Sequence, residues 1–178
     1  HGISVALPGY TLAPEQSLAG ILEEIRSALR WLREHAAALG FAGSRIVVSG
    51  WSAGGHLAAM MADEPGVTGV LAISGIFDLE PIRHSYLNEK LRLVPEDVGE
   101  LSPQCRPLSG RPLIAVCGSA ELPELQRQTW DFARLRAAAK LPGGAFTLAG
   151  HNHFTILEEL ASPDGLASSL LRMLISLP

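Results

Sequence analysis

The chain has 178 residues, of which 47% are hydrophobic and 18% are charged, and its formal net charge at pH 7 is −4. This composition excludes a disordered chain, and the length suffices for one domain with a hydrophobic core. No basic excess points to nucleic acid or to an anionic membrane as a partner, and no apolar run is long enough to span a bilayer. Because the sequence also carries no signal-peptide pattern, a cytoplasmic protein is expected.

Strands and helices alternate in the first part of the chain. Residues 4–8 are a short apolar run that predicts a strand. Over residues 17–39, apolar side chains recur every three or four positions, which predicts one amphipathic helix ended by Gly40. Residues 45–49 form the β-branched run of a second predicted strand.

In the middle of the chain, a predicted helix and strand are followed by a segment without regular hydrophobic spacing. A short helix is expected over residues 55–62, and residues 67–74 predict a strand. The nearly continuous apolar character of that strand indicates burial on both faces, as in a parallel sheet. Near residues 76–111, prolines and charges interrupt the pattern, which favours short helices and loops that form a small partial lid over one end of the sheet.

The last third returns to alternation and fixes the expected fold class. The predicted elements are a strand at 113–117, a helix at 123–140, a strand at 145–148, and helices near 154–160 and 165–176. Alternating strands and helices predict an α/β fold in which a mostly parallel sheet of about five strands is flanked by helices. Residues 1–178 are expected to form a single domain.

A candidate nucleophile lies between the second predicted strand and the helix that follows it. Residues 50–54 read Gly-Trp-Ser-Ala-Gly, the pattern of a nucleophile elbow. In such a tight turn the serine is strained, and a Cβ two positions before or after it is expected to collide, so Gly50 and Gly54 are both predicted to be required. Ser52 is the predicted nucleophile, and the N–H of Ala53 is the predicted oxyanion donor at the helix start.

A serine nucleophile needs a base, and two histidines follow the last predicted strand. His153 is favoured because the helix after it can anchor the ring, whereas His151 is interpreted as a loop residue or a support. The alternative for His153 is a polar cap on the following helix.

The base in turn needs a carboxylate that orients it. Glu121 follows the strand at 113–117 and is the favoured acid. Asp78, after the preceding strand, and Glu124, a first-turn helix charge, stay open as alternatives.

No cofactor is expected. Cys105 and Cys117 lie in unrelated contexts, and His151 and His153 lack a third ligand at metal-binding spacing, so no metal site is predicted.

Several segments together resemble the kynurenine formamidase (arylformamidase) branch of the α/β-hydrolases. Residues 50–57 resemble that family's elbow, and residues 74–79 are similar to its Ser-Gly-x-Phe/Tyr-Asp-Leu segment. Residues 121–128 are similar to its Asp-Ser-Pro-Glu-Phe-x-Arg-Gln stretch, with Glu121 where the family has Asp, and residues 152–154 match its catalytic histidine segment. Residues 10–15 resemble the Tyr-Arg-Leu-Ala-Pro-Glu shared with esterases related to hormone-sensitive lipase.

The resemblance implies a serine hydrolase that cleaves short-chain carboxylic esters or aryl formamides, such as N-formylkynurenine, through an acyl-enzyme. It also implies that the first three strands of the family's sheet and its His-Gly-Gly oxyanion loop are absent, because His1-Gly2 alone does not make that motif. Either residues 4–8 pair directly with residues 45–49, or another chain fills the gap. A bare sheet edge makes a homodimer through that edge an expected partner interaction.

Two other functions stay open. Gly-Trp-Ser-x-Gly-Gly also suits a prolyl-oligopeptidase-like serine peptidase, although the Asp-rich segment expected after the strand at 113–117 is missing. The missing oxyanion loop would also suit a catalytically weak or inactive hydrolase fragment that acts as a binding module. A screen of peptide substrates tests the first alternative, and a serine-reactive phosphonate probe tests the second.

Overall fold

A single parallel sheet forms the centre of the computed structural model, which describes residues 2–177. Within this range the sheet has four strands in the order β1-β2-β3-β4, and each neighbouring pair is parallel. The strands are β1 (Ile46–Trp51), β2 (Val67–Ile73), β3 (Leu113–Gly118) and β4 (Gly143–Leu148).

Helices connect the strands and cover both faces of the sheet. They are α1 (Leu18–Leu39), α2 (Ala53–Met60), α3 (Glu80–Arg83), α4 (Asn88–Leu91), α5 (Pro95–Leu101), α6 (Pro123–Ala138), α7 (Glu158–Ala161) and α8 (Leu166–Ser176). Two 3-10 turns lie at Pro103–Cys105 and Thr155–Leu157. None of the helices within residues 2–177 combines the length and the apolarity needed to cross a bilayer.

The long helix α1 begins and ends where the sequence predicts. The Ser17 hydroxyl accepts a hydrogen bond from the backbone N–H of Gly20 at 3.1 Å, which caps the amino end. Gly40 takes a left-handed conformation (φ 78°) and its N–H reaches the carbonyl of Ala36, which closes the carboxyl end. The predicted apolar stripe supplies the buried residues Leu18, Ile21, Leu22, Leu29 and Ala36.

Strand β2 is buried on both faces, as its nearly continuous apolar run predicts. Val70 and Ala72 pack on the face that α1, α2 and α6 cover, and Leu71 and Ile73 pack on the face that α8 covers. All four are fully or almost fully buried. The expectation of a parallel sheet with two covered faces is therefore confirmed.

The predicted strand at residues 4–8 is wrong. These residues have no regular secondary structure, and Val5 and Leu7 are 77% and 91% exposed. A strand is stabilised by the ladder it makes with a neighbour. Among residues 2–177, β1 is the outermost strand on its side of the sheet, and residues 4–8 do not pair with it. Four strands replace the five expected, and direct pairing of residues 4–8 with residues 45–49 does not occur.

The other differences are at element boundaries. Helix α2 begins at Ala53, not at position 55, because the turn passes directly into the helix after the serine. Strand β4 begins two residues earlier than predicted, at Gly143, since pairing with Leu113 outweighs the weak strand propensity of two glycines. Residues 76–111 form the short helices and loops expected there.

Candidate active site

The three predicted site residues follow three different strands. Ser52 comes directly after β1, Glu121 lies three residues after β3, and His153 lies five residues after β4. Because all the strands are parallel, their carboxyl ends meet at one edge of the sheet. The topology therefore brings these distant residues to the same rim.

The side chains of Ser52, His153 and Glu121 form a hydrogen-bonded chain. Nε2 of His153 lies 3.1 Å from Oγ of Ser52, and Nδ1 of His153 lies 2.8 Å from Oε1 of Glu121. An ionised carboxylate only accepts hydrogen bonds, so Nδ1 carries the proton of the neutral ring and donates a hydrogen bond to Glu121. The lone pair on Nε2 is then free to accept the hydroxyl proton of Ser52.

The backbone at Ser52 has the strained conformation expected of the elbow. Its φ of 56° and ψ of −118° are unusual for a residue with a side chain. The N–H of Ser52 donates to the carbonyl of Ile73 at 2.8 Å, which ties the turn to the end of β2. This geometry directs the hydroxyl away from the sheet and towards His153.

The two glycines of the elbow motif do not have equal roles. A Cβ on Gly50 would lie 2.1 Å from the carbonyl oxygen of Gly54, so no side chain fits there. A Cβ on Gly54 would meet nothing within 4 Å, and the predicted steric requirement at Gly54 is therefore wrong. The close approach occurs one residue later, because a Cβ on Gly55 would lie 2.7 Å from the Cα of Gly75.

We expect Gly50→Ala and Gly54→Ala to differ sharply in stability. Gly50→Ala forces the elbow apart and lowers the free energy of unfolding by about 1–3 kcal/mol, as overpacking does. Gly54→Ala adds a methyl group in open space inside a helix, where alanine is preferred by about 1 kcal/mol over glycine. Urea denaturation of both variants measures the difference, and equal losses in the two would contradict it.

Helix α2 begins directly after the serine. Ala53 is its first residue, and the first turn of a helix has N–H groups with no intrahelical acceptor. The positive end of the helix dipole lies there too, so negative charge that develops beside Ser52 is favoured. The role of Ala53 as oxyanion donor stays a prediction. Of the incomplete His1-Gly2 motif, His1 lies outside the described residues.

The loops after β3 and β4 are bound to each other. A Cβ on Gly118 would lie 2.0 Å from the carbonyl oxygen of His151, so only glycine permits this approach. The same carbonyl accepts from the N–H of Ala120 at 2.9 Å, and the Ser119 hydroxyl accepts from the N–H of Gly150 at 2.8 Å. These contacts bring the loop that carries Glu121 beside the loop that carries His153.

Glu121 is held by a second side chain that sequence reasoning missed. Its side chain is fully buried, and Oε2 accepts a hydrogen bond from Oγ of Ser74 at 2.5 Å. Ser74 opens the segment at residues 74–79, which the family resemblance singles out without giving the serine a role. Only the fold brings the ends of β2 and β3 together and reveals the contact.

The alternative acids are engaged elsewhere. Oδ1 of Asp78 accepts from the N–H of Glu80 at 3.0 Å, and its Oδ2 lies 3.4 Å from Arg127. Glu124 pairs with Arg127 at 2.6 Å, and this hydrogen bond holds the pKa of Glu124 below its usual value. The structure thus brings Glu121 to His153, and neither Asp78 nor Glu124.

His151 stabilises its loop and does not contact Ser52. Its Nδ1 lies 3.0 Å from the carbonyl oxygen of Thr155, and its Nε2 lies 3.2 Å from a carboxylate oxygen of Glu159.

His153 does not cap the helical turn that follows it, which was the alternative to its role as base. The cap residue of the 3-10 turn at Thr155–Leu157 is Phe154.

Trp51 supports the imidazole of His153 from one side. Its indole N–H donates to the backbone carbonyl of His153 at 2.8 Å, and the two rings lie 4.7 Å apart between centroids. The ring of Phe154 lies 5.8 Å from Trp51 and is 71% exposed. The ring of Phe154 also lies 5.4 Å from the imidazole, so both aromatic side chains contact it.

His56 in α2 is a buried histidine outside this hydrogen-bonded chain. Its Nε2 donates to the carbonyl of Leu101 at 2.8 Å, which joins the elbow helix to α5. Burial lowers the pKa of His56 to about 4 from an ordinary value of 6.5, so the ring is neutral in the folded protein at pH 7.

We expect this histidine to make the fold sensitive to acid. Between pH 6.5 and 4 the unfolded imidazole binds a proton that the folded one does not, so the free energy of unfolding falls as the pH is lowered through this range. The fall in the free energy of unfolding that His56 causes reaches about 3 kcal/mol near pH 4. Urea denaturation at pH 7 and pH 4.5 should show a smaller fall for His56→Gln than for the unmodified protein, and parallel losses would contradict this.

A cleft of about 460 Å³ opens elsewhere, at the amino ends of β1 and β2. Arg33, Gly66 and Arg111 are among its lining residues, and none of the Ser52, His153 and Glu121 side chains takes part.

Among residues 2–177, no group of three or more His, Cys, Asp or Glu side chains could hold a metal ion.

The fold and the site define an α/β-hydrolase, and the comparisons agree. The chain belongs to the family described as alpha/beta hydrolase fold, whose model matches residues 1–153. The predicted fold class and the family resemblance are both confirmed.

Individual relatives match either nearly the whole chain or one segment of it. A kynurenine formamidase of Danio rerio is 28% identical over an alignment of 189 positions, gaps included. The alignment covers 98% of this chain and 63% of that protein. A carboxylesterase of Mycobacterium tuberculosis is 49% identical over 53 residues, 30% of this chain and 17% of that protein. A solved hyperthermophilic esterase from the archaeon Pyrobaculum calidifontis superimposes with a TM-score of 0.79 at 22% identity, over 94% of this chain and 64% of that one. The chain thus spans about 63% of the length of the curated formamidase.

Proposed function

We propose that the protein is a serine hydrolase that cleaves short-chain carboxylic esters or aryl formamides through an acyl-enzyme. The observation that carries the proposal is the hydrogen-bonded chain from Ser52 through His153 to Glu121, with donor–acceptor distances of 3.1 Å and 2.8 Å. A hydroxyl, an imidazole and a buried carboxylate in this order make a nucleophile, its general base and the group that orients the base.

The first half of the reaction forms the acyl-enzyme. Nε2 of His153 takes the proton from Oγ of Ser52 while that oxygen attacks the substrate carbonyl carbon. The negative oxygen of the tetrahedral intermediate accepts a hydrogen bond from the N–H of Ala53 at the start of α2. The imidazolium then gives its proton to the departing alcohol or amine, the bond to the leaving group breaks, and the acyl group remains on Ser52.

The second half returns the enzyme to its starting state. A water molecule gives a proton to Nε2 of His153 and attacks the acyl carbon. The intermediate collapses, Ser52 recovers its proton from the imidazolium, and a carboxylic acid leaves. In both halves the imidazolium forms beside the carboxylate of Glu121, which is fully buried and therefore little screened by water.

The substrate class rests on the relatives and on the surroundings of Ser52. The names of the relatives include a kynurenine formamidase and a carboxylesterase. The rings of Trp51 and Phe154 contact the imidazole and each other, and they offer apolar surface to a flat aromatic group. Tyr86 is 79% exposed, and Phe77 is buried against Phe132.

A panel of substrates tests the proposal. Initial rates are measured with p-nitrophenyl acetate, p-nitrophenyl decanoate, N-formylkynurenine and a chromogenic peptide, each with Ser52→Ala as the blank. We expect hydrolysis of the acetate or the formamide that exceeds the blank, with slower turnover of the decanoate and the peptide. Rates equal to the blank on all four substrates would contradict the proposal, and turnover of the peptide alone would favour a peptidase.

A homodimer through the sheet edge stays a prediction, as does a cytoplasmic location. Strand β1 is the terminal strand of the described sheet, so the backbone groups on its outer edge can pair with a second copy. Sedimentation velocity over a range of concentrations measures the oligomeric state, and a monomer throughout would contradict the dimer.

A further inference from the structure

We propose that Ser74 is a positioning residue for the reaction, which fixes the buried carboxylate of Glu121 so that it can orient His153. The inference rests on the proposed hydrolase function. It adds a fourth side chain, which never touches the substrate, to the chain of hydrogen bonds that begins at Ser52.

Ser74 lies where β2 ends and faces the end of β3. Its backbone N–H donates to the carbonyl of Val116 at 2.7 Å, which continues the pairing of the two strands by one residue. The residue is completely buried, and its Oγ donates to Oε2 of Glu121 at 2.5 Å. Such a short distance between a hydroxyl and a carboxylate oxygen is typical of a charge-assisted hydrogen bond.

The two oxygens of the Glu121 carboxylate have different donors. Oε1 accepts from Nδ1 of His153 and Oε2 accepts from Ser74. The other nearby polar side chain, Gln126, bonds the backbone carbonyl of Glu121 at 2.9 Å and leaves the carboxylate alone. Burial raises the pKa of the nearby Cys117 thiol, and the charge of Glu121 adds a smaller rise.

A buried carboxylate needs these donors to remain ionised and to keep one orientation. Burial penalises the charged form unless hydrogen bonds replace those of water. A glutamate also has one more rotatable bond than an aspartate, so a single contact at Oε1 would leave the group free to rotate. The second contact at Oε2 fixes the plane of the carboxylate and directs Oε1 at the imidazole.

The backbone of Ser74 supports a specific role for its side chain. Its φ of 45° lies in the left-handed region, where glycine is favoured and other residues are strained. A serine at this position therefore has an unfavourable backbone conformation that a glycine would relieve. The hydrogen bond to Glu121 is the contact that the glycine would lose.

Two substitutions separate the hydroxyl from the backbone. Ser74→Ala removes the hydroxyl and keeps the strain, whereas Ser74→Gly removes both. We expect kcat for p-nitrophenyl acetate to fall about ten- to hundred-fold in each, the factor for one hydrogen bond to a charged group, with KM unchanged. Recovery of kcat in Ser74→Gly would assign the effect to the backbone and overturn the inference.

The pH profile gives a readout that a structural role would not move. The Ser74 hydroxyl stabilises the negative charge that the Glu121–His153 pair carries when the imidazole is neutral. Without it, the pair takes up a proton at higher pH, so the acidic limb of the kcat/KM profile moves to higher pH in both variants. An unmoved limb in both would contradict the role.

Ser102→Ala is the matched control. Ser102 is another completely buried serine, and its hydroxyl accepts from the backbone N–H of Leu79 at 3.0 Å. We expect this variant to lose stability in urea denaturation while its kcat and its acidic limb stay unchanged. The same losses of kcat in Ser102→Ala and Ser74→Ala would overturn the inference, because they would show a general effect of damage to the core.

A measurement without turnover keeps this inference separate from the proposed function. The pH midpoint of the His153 imidazole signals is followed by NMR in the unmodified protein and in Ser74→Gly. We expect a higher midpoint in Ser74→Gly. Failure of the unmodified protein to hydrolyse any substrate would remove the proposed function, whereas equal midpoints would remove the link between Ser74 and His153.

Discussion

Ser52→Ala is expected to lower kcat for p-nitrophenyl acetate about 10⁴-fold to 10⁶-fold, and removal of the catalytic serine from a serine protease gives a loss at the upper end of this range. The loss is this large because the oxygen that forms the acyl-enzyme is gone, and His153 has no hydroxyl to deprotonate at 3.1 Å. KM should change little, since the hydroxyl contributes to bond formation more than to substrate binding. Steady-state kinetics measures both quantities.

The same substitution at another serine controls for nonspecific effects. Ser27 is exposed on α1, and Ser27→Ala places a good helix former inside a helix. We expect Ser27→Ala to keep the full rate and the stability of the unmodified protein. A Ser52→Ala protein that remains folded and retains more than about a tenth of the rate would contradict the role of nucleophile, because the lost step accounts for much more.

Glu121→Gln is expected to lower kcat about 10³-fold to 10⁴-fold, as amide replacement of the acid does in the serine-protease triad. The amide has nearly the same shape, but it carries no charge to stabilise the imidazolium. It can also present its NH₂ group to His153, which favours the wrong tautomer of the ring. The loss should appear in kcat, and it is measured with the same ester.

Glu124→Gln is the matched control for the acid. Glu124 lies three residues away, in the first turn of α6, and its carboxylate pairs with exposed Arg127. A surface ion pair contributes at most about 1 kcal/mol, so this variant should keep its kcat and nearly all of its stability. Full activity of Glu121→Gln with loss of activity in Glu124→Gln would reverse the assignment of the acid.

Local patterns in the sequence were sufficient for much of the fold. The three-to-four spacing over residues 17–39, with Gly40 after it, located α1 to within one residue. The nearly continuous apolar run at residues 67–74 identified a strand that is buried on both faces. Both signals arise inside one element, where side-chain spacing and caps determine the structure.

The errors arose where a neighbour outside the element decides the outcome. Residues 4–8 have the composition of a strand, but no strand in the described sheet pairs with them. Gly54 belongs to the elbow motif, yet the space around it is open, and the contact that excludes a side chain is at Gly55. A sequence pattern gives the residue type, and only the packed fold shows what each position contacts.

The site shows the same division. Chain order and the position of each residue after a strand pointed to Ser52, Glu121 and His153, and the fold places Ser52 and Glu121 each within hydrogen-bond distance of His153. Their catalytic roles stay predictions. Ser74 could not be found in this way, because its contact with Glu121 spans 47 residues and depends on the register of β2 against β3.

Covalent labelling tests most directly whether His153 activates Ser52. A fluorophosphonate is added to the unmodified protein and to His153→Gln, and peptide mass spectrometry then locates and counts the adduct over time. We expect one adduct per chain, on Ser52, with labelling of His153→Gln slower by about 10²-fold or more, the contribution of a general base. No adduct on Ser52, or equal labelling rates in the two proteins, would contradict the proposed mechanism.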